Sequence, residues 1–136
     1  GHPSRQAEKQ LLLGRERDRL IPDLTPVLNP SKIKEMQDHV SQVHASDSII
    51  EYVQDILEKS RNDTNFFTGL SPRAGLSLLK ISRSWAFLQG RDYVVPEDVQ
   101  AITPYVARHR LSLQETLSAG SHLEKVKKIL EQVPIP

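Results

Sequence analysis

Three prolines set much of what this chain can fold into. Pro30, Pro72 and Pro96 each stand where a new helix is expected to begin. The first helical turn tolerates proline because its N–H would lack an intrahelical acceptor anyway, and the ring presets a helical φ. Helix interiors and central strands reject it. The chain is therefore predicted to be several separate helices with little strand.

Apolar spacing fills in those helices. Ser4 caps a first helix that Gly14 ends, with Ala7, Leu11 and Leu12 as its stripe. A proline-broken connection, Ile21-Pro22-Asp23-Leu24-Thr25-Pro26, follows. A second helix runs from Asn29 to about Gln42 with Ile33, Met36 and Val40 on one side. Val43-His44-Ala45 is a short extended candidate. Ser46 or Asp47 then caps a third helix, in which Ile49, Ile50, Val53, Ile56 and Leu57 follow helical spacing as far as Arg61-Asn62. Residues 62–70 read as a polar loop carrying an exposed-looking Phe66-Phe67 pair.

Ser71 caps a fourth helix with Pro72 at its first position. Leu76, Leu78, Leu79, Ile81, Trp85, Ala86 and Leu88 make it apolar over a broad face, as expected of the central core helix. Gln89-Gly90-Arg91-Asp92 ends it, and Tyr93-Val94 is a second short extended piece. A fifth helix starts at Pro96-Glu97-Asp98, where acids suit the helix dipole, and Pro104 is expected to interrupt it. After a loop over 111–120, Ser121-His122-Leu123-Glu124 reads as the capping box of a last helix ending near Val133. The expectation is an all-α fold: a small helical bundle of about six helices with at most very short extended segments.

The chemistry that is missing narrows the function. No phosphate-cradling Gly-x-x-x-x-Gly-Lys-Ser/Thr loop occurs, and no nucleophile elbow. The five histidines lack metal-ligand spacing and there is no cysteine, so no metal site is expected. Alone, the chain is not expected to be an enzyme. The formal net charge is +1, and Arg15, Arg17 and Arg19 alternate with Glu16 and Asp18, which argues against nucleic acid as a partner. No apolar run is long enough for a membrane span. Arg5, Glu8 and Lys9 break any signal-peptide pattern, so a cytoplasmic location is expected.

Arg73 is the residue that fits these bland readings least. It takes the second helical position behind Ser71, where a cation opposes the helix dipole at about 0.3–1 kcal/mol. The outward-pointing N–H groups of that turn favour an anion. On the helix Arg73 shares a polar strip with Ser77, Lys80 and Ser84. Contact with a phosphate on another domain is one reading. A solvated arginine, or one paired with a local carboxylate, is the other.

Gly69-Leu70-Ser71-Pro72-Arg73-Ala74, an apolar helix, Gly90-Arg91-Asp92-Tyr93-Val94-Val95-Pro96-Glu97-Asp98-Val99 and Arg108-His109-Arg110-Leu111 together resemble the C-terminal lid of MoxR-type AAA+ ATPases. Gly1-His2-Pro3-Ser4-Arg5, Val43-His44-Ala45-Ser46-Asp47 and the ending Val133-Pro134-Ile135-Pro136 are similar to that family too. The resemblance implies one lid domain over residues 1–136. Residues 1–30 would be the core-proximal helix and connection, and 121–136 the last helix and tail. The P-loop core would lie outside this chain, which would then be a fragment cut at the core–lid boundary.

In that family the arginine of the Ser-Pro-Arg block is the sensor-2 residue, so the resemblance implies that Arg73 approaches ATP phosphates on the restored core, with Ser71 and Pro72 supporting the helix start. ATP and Mg2+ are implied for the full-length protein and no cofactor for this piece. The implied partners are its own core, neighbouring subunits of a ring, and proteins with a von Willebrand factor A domain as remodelling clients. Two features depart from the family pattern: Leu70 stands where a small residue is common, and Gly75 stands where Ala or Ser is common. A helical Gly costs about 1 kcal/mol relative to Ala, and it would permit a close backbone approach. A stand-alone helical interaction module is the alternative reading.

Overall fold

The computed structural model describes residues 2–13, 21–113 and 122–136. Among them are six α-helices: α1 (Arg5–Leu13), α2 (Pro30–Gln42), α3 (Asp47–Asn62), α4 (Pro72–Leu88), α5 (Pro96–Ala107) and α6 (His122–Glu131). One short 3₁₀ turn covers Ile21–Asp23. Two brief strands, β1 (Phe66–Thr68) and β2 (Ser112–Leu113), pair antiparallel. The fold is the all-α bundle that the helix starts and apolar spacing anticipate. The Ser121 capping box lies outside the described residues.

Two units are resolved by packing, Gly1–Ile33 and Lys34–Pro136. In the first, Ser4 Oγ accepts from Ala7 N at the start of α1, and Asn29 Oδ1 accepts from Lys32 N at the start of α2. None of its described residues is buried.

The second unit holds the core. Ile49, Tyr52, Val53, Ile56 and Leu57 of α3 meet Ala74, Leu78 and Ala86 of α4, Val99, Ile102 and Val106 of α5, and Val126 and Ile129 of α6. The N-caps act as expected: Ser46 Oγ accepts from Ile49 N at α3, and Ser71 Oγ accepts from Ala74 N at α4. The two extended pieces pair with each other. His44 N donates to Asp92 O and Val94 N donates to His44 O, so the α2–α3 and α4–α5 connections lie side by side in parallel. Gly90 ends α4 at φ +75°, a conformation that glycine reaches without a Cβ penalty.

Several details differ from expectation. Pro104 does not interrupt α5. It sits in the last turn, and the helix runs three residues further to Ala107 because only the Gln100 carbonyl loses its donor. The Phe66-Phe67 pair is split by the two-residue period of β1: Phe66 is buried and Phe67 is 79% exposed. The broad apolar face of α4 is also split. Ala74, Leu78, Ser82 and Ala86, four residues apart, form the buried stripe. Leu76, Ile81, Trp85 and Leu88 are exposed at 72%, 41%, 39% and 65%. A helix can press only one face on its neighbours, and small residues win that face because they let helices approach closely.

Candidate functional site

The start of α4 is seated by the end of α3. Ser60 is fully buried, and its hydroxyl accepts from Leu70 N at 2.9 Å while donating to Leu57 O at 2.7 Å. Arg61 Nε donates to Leu70 O at 2.9 Å. Both backbone groups of Leu70 are thus held, and its side chain is itself buried. Gly69 lies flat against the seat: a Cβ there would stand 2.5 Å from Arg61 Cα. The chain leaves this clamp directly into Ser71, Pro72 and Arg73.

Gly75 completes the seat one turn later. It is buried, and a Cβ there would lie 2.7 Å from Leu57 Cδ1. The close approach that would favour glycine here is real, and it is an approach to a side chain of α3. Leu70 explains itself in the same way, as the apolar plug beneath the Ser-Pro-Arg turn.

Arg73 projects from the second position of α4 and is exposed. Among the described residues its side chain has no hydrogen-bond or ion-pair partner, so pairing with a local carboxylate is not what occupies it. The rest of its strip is quiet. Ser77 Oγ donates to Arg73 O and Ser84 Oγ donates to Lys80 O, so both hydroxyls are turned back on the helix. Lys80 stays exposed, and α4 carries no acidic side chain to offset Arg73, Lys80 and Arg83. The exposed surface of α4 is thus cationic along its middle, with Leu76 on one flank and Ile81, Trp85 and Leu88 on the other.

This arrangement can offer a guanidinium to an anion, held at a fixed point by a rigid helix start. Among the described residues no group of three or more His, Cys, Asp or Glu is placed to hold a metal ion, and no helix is long and apolar enough to cross a membrane. A groove of about 530 Å³ runs between Gln100 on α5 and the tail at Val133-Pro134-Ile135, away from Arg73, and is walled mainly by aliphatic side chains with Lys127 and Glu131.

Arg73, Ser71 and Pro72 stand out in the sequence, whereas Ser60, Arg61 and Gly69, which seat them, were not singled out there. Ser60 had a signal: it continues the Ile49, Val53, Ile56 spacing, and a hydroxyl on an apolar stripe needs a partner. Arg61 and Gly69 had none, because their roles arise from contacts eight to nine residues apart.

The AAA lid domain family matches residues 58–133, which contain Ser60, Arg61, Gly69, Leu70 and α4 to α6. The Bacillus subtilis protein YeaC is 35% identical over the full chain, which spans 43% of that relative. Chaperone MoxR1 of Mycobacterium tuberculosis is 27% identical over the full chain, which spans 38% of it. The chain thus covers less than half the length of either relative. A crystal structure from Cytophaga hutchinsonii shares the fold over the whole chain, with a TM-score of 0.77 at 20% identity, and the chain matches 44% of it. The chain belongs to the AAA lid domain family and is homologous to the MoxR-family AAA+ ATPases.

Proposed function

We propose that this chain is the lid that closes over ATP held by the P-loop core of a MoxR-like AAA+ ATPase, with Arg73 as its sensor-2 residue. The observation that carries this reading is the unpartnered, exposed Arg73 guanidinium on a helix start that Ser60, Arg61 and Leu70 hold fixed. A guanidinium brought to the β and γ phosphates stabilises charge there during phosphoryl transfer and distinguishes ATP from ADP. Because α4 is packed into the core of its unit, a pull on Arg73 moves that unit as one body. Mg2+ would be held by the core, since the described residues of this piece offer no acidic cluster for it.

In the full-length protein this motion would drive chaperone-like remodelling of partner proteins, within a ring whose neighbouring subunits also touch the lid. The Mycobacterium tuberculosis relative, Chaperone MoxR1, supports that direction. Proteins with a von Willebrand factor A domain are the proposed clients, and the cytoplasm the proposed location. The second reading, a stand-alone interaction module, draws on the exposed Leu76, Ile81, Trp85 and Leu88.

The deciding experiment is Arg73→Ala in the full-length protein. ATP turnover falls roughly tenfold or more, while helicity is kept because the side chain lies outside the core. Unchanged turnover would sink the sensor role and leave the stand-alone module as the better account.

A further inference from the structure

We propose that Arg61 is a positioning residue for Arg73, acting through the Leu70 carbonyl; this rests on the sensor reading above. The inference comes from three features of the α3–α4 junction. First, Arg61 Nε donates to Leu70 O at 2.9 Å, three residues ahead of Arg73. Second, the adjacent Ser60 hydroxyl holds Leu70 N at 2.9 Å, so the peptide groups on both sides of Leu70 are fixed to one turn of α3. Third, Gly69 is pressed so close to the Arg61 backbone that any Cβ would collide with it. Among the described residues no other hydrogen bond ties down the short run between Gly69 and Ser71, and the next restraint is the Ser71 cap of α4 itself.

The consequence is geometric. A sensor arginine must meet its phosphate within a few tenths of an ångström, and groups on the reacting centre lose much of their effect when misplaced by about 1 Å. Arg73 has a long, flexible side chain, so its aim depends on where the helix start is held. Ser60 is buried and enforces the fold as well as the aim. Arg61 is exposed and contributes little to the core, so its bond to Leu70 is the part of the clamp that serves position rather than packing.

The chemistry allows a sharp test in the full-length ATPase. In glutamine the amide nitrogen is separated from the backbone by the same number of bonds as arginine Nε. Arg61→Gln therefore keeps an N–H donor at that point and removes the charge, whereas Arg61→Met keeps the bulk and removes both. Arg61→Met should lower kcat for ATP roughly tenfold, and Arg61→Gln should stay within about twofold of wild type. In an Arg73→Ala background, Arg61→Met should change kcat by less than about twofold, because there is no longer an arginine to aim.

Three results would overturn the proposal. If Arg61→Gln is as slow as Arg61→Met, the charge matters and Arg61 meets the anion itself. If Arg61→Met costs the same factor with and without Arg73, it acts on the fold at large. If Arg61→Met is as fast as wild type, the clamp is idle. Failure of the sensor reading is separate and visible: Arg73→Ala alone would then leave kcat unchanged.

Discussion

Arg91 grips Asp98 through two parallel hydrogen bonds, Nη1 to Oδ2 at 2.7 Å and Nη2 to Oδ1 at 2.6 Å, across the turn that joins α4 to α5. The same carboxylate accepts from Val95 N at 2.9 Å, so it caps α5 while it holds the end of α4. Arg91 also donates to Tyr93 O and lies 5.9 Å from the Tyr93 ring centre. The pair therefore fixes the segment whose backbone zips to His44. The acids at Pro96-Glu97-Asp98 are first-turn acids, as their position in the sequence suggests. Asp98 is more than that, because it is buried and paired.

This pair makes the fold acid-sensitive. Burial alone would push the Asp98 carboxyl up; the Arg91 hydrogen bonds, the Val95 N–H and the Arg91 charge more than offset that and hold it below its ordinary 3.8. A carboxylate whose pKa falls on folding stabilises the fold above its ordinary range, and that contribution fades as pH drops through the folded-state value. Asp98→Asn should therefore destabilise the chain by about 1–3 kcal/mol at pH 7, and the gap to wild type should narrow as pH falls below 3.8. Thermal melts of both proteins from pH 7 down to pH 2.5 check this. A gap independent of pH would show that the charge of Asp98 is not what matters.

Gly69 and Gly75 should respond differently to the same change. Gly69→Ala drives a methyl into the Arg61 backbone at 2.5 Å, and backbone cannot rotate away. The expected loss is about 2–3 kcal/mol. Gly75→Ala meets only the tip of Leu57, at 2.7 Å. That side chain can shift at a cost of about 0.5–1.5 kcal/mol, and the helix gains about 1 kcal/mol from replacing glycine. The two nearly cancel, so the urea midpoint of Gly75→Ala should lie close to wild type and well above that of Gly69→Ala. Equal midpoints would contradict the seat as described.

How much of this was legible beforehand follows from the range of each interaction. Helix starts at Ser46, Ser71 and Pro96 are local events, set within four residues, and the sequence shows them. The Arg73 strip is legible for the same reason. What sequence could not show is which of two apolar faces of α4 would be buried, since Leu76 and Leu88 are as apolar as Leu78. That choice depends on α3 and α5, and on the small residues Ala74, Gly75 and Ala86 that let them approach. The Ser60–Leu70 and Arg91–Asp98 contacts bridge seven to ten residues and exist only once the helices are placed. The parallel pairing of His44 with Tyr93 is more distant still; its two extended pieces could be seen, but not that they meet.

Lys125 offers a gain of stability. It is 5% exposed on the inner side of α6 beside Val126 and Ile129, and its ammonium has no hydrogen-bond partner among the described residues. An unpaired buried polar group costs about 1–3 kcal/mol. Lys125→Met keeps the length of the side chain and removes the group that must be desolvated. The chain should melt at a higher temperature by roughly 4 °C or more. A lower melting temperature would mean that the ammonium is satisfied in solution.

The exposed flanks of α4 separate a lid from a stand-alone module. Leu76 and Leu88 are 72% and 65% exposed and do not belong to the buried core. Leu76→Gln and Leu88→Gln should thus leave the stability of the chain within about 0.5 kcal/mol of wild type, as surface changes usually do. If the chain is the proposed lid, the outcome in the full-length protein should differ. If this side of α4 packs against the P-loop core when Arg73 reaches its phosphate, each leucine contributes about 1.5–3 kcal/mol of burial to the closed state only. The double variant should then raise KM for ATP and lower turnover several-fold, with the melting temperature of the lid unmoved. Unaltered ATP kinetics alongside an unaltered lid would place this surface away from the core, and would favour a partner protein as its occupant.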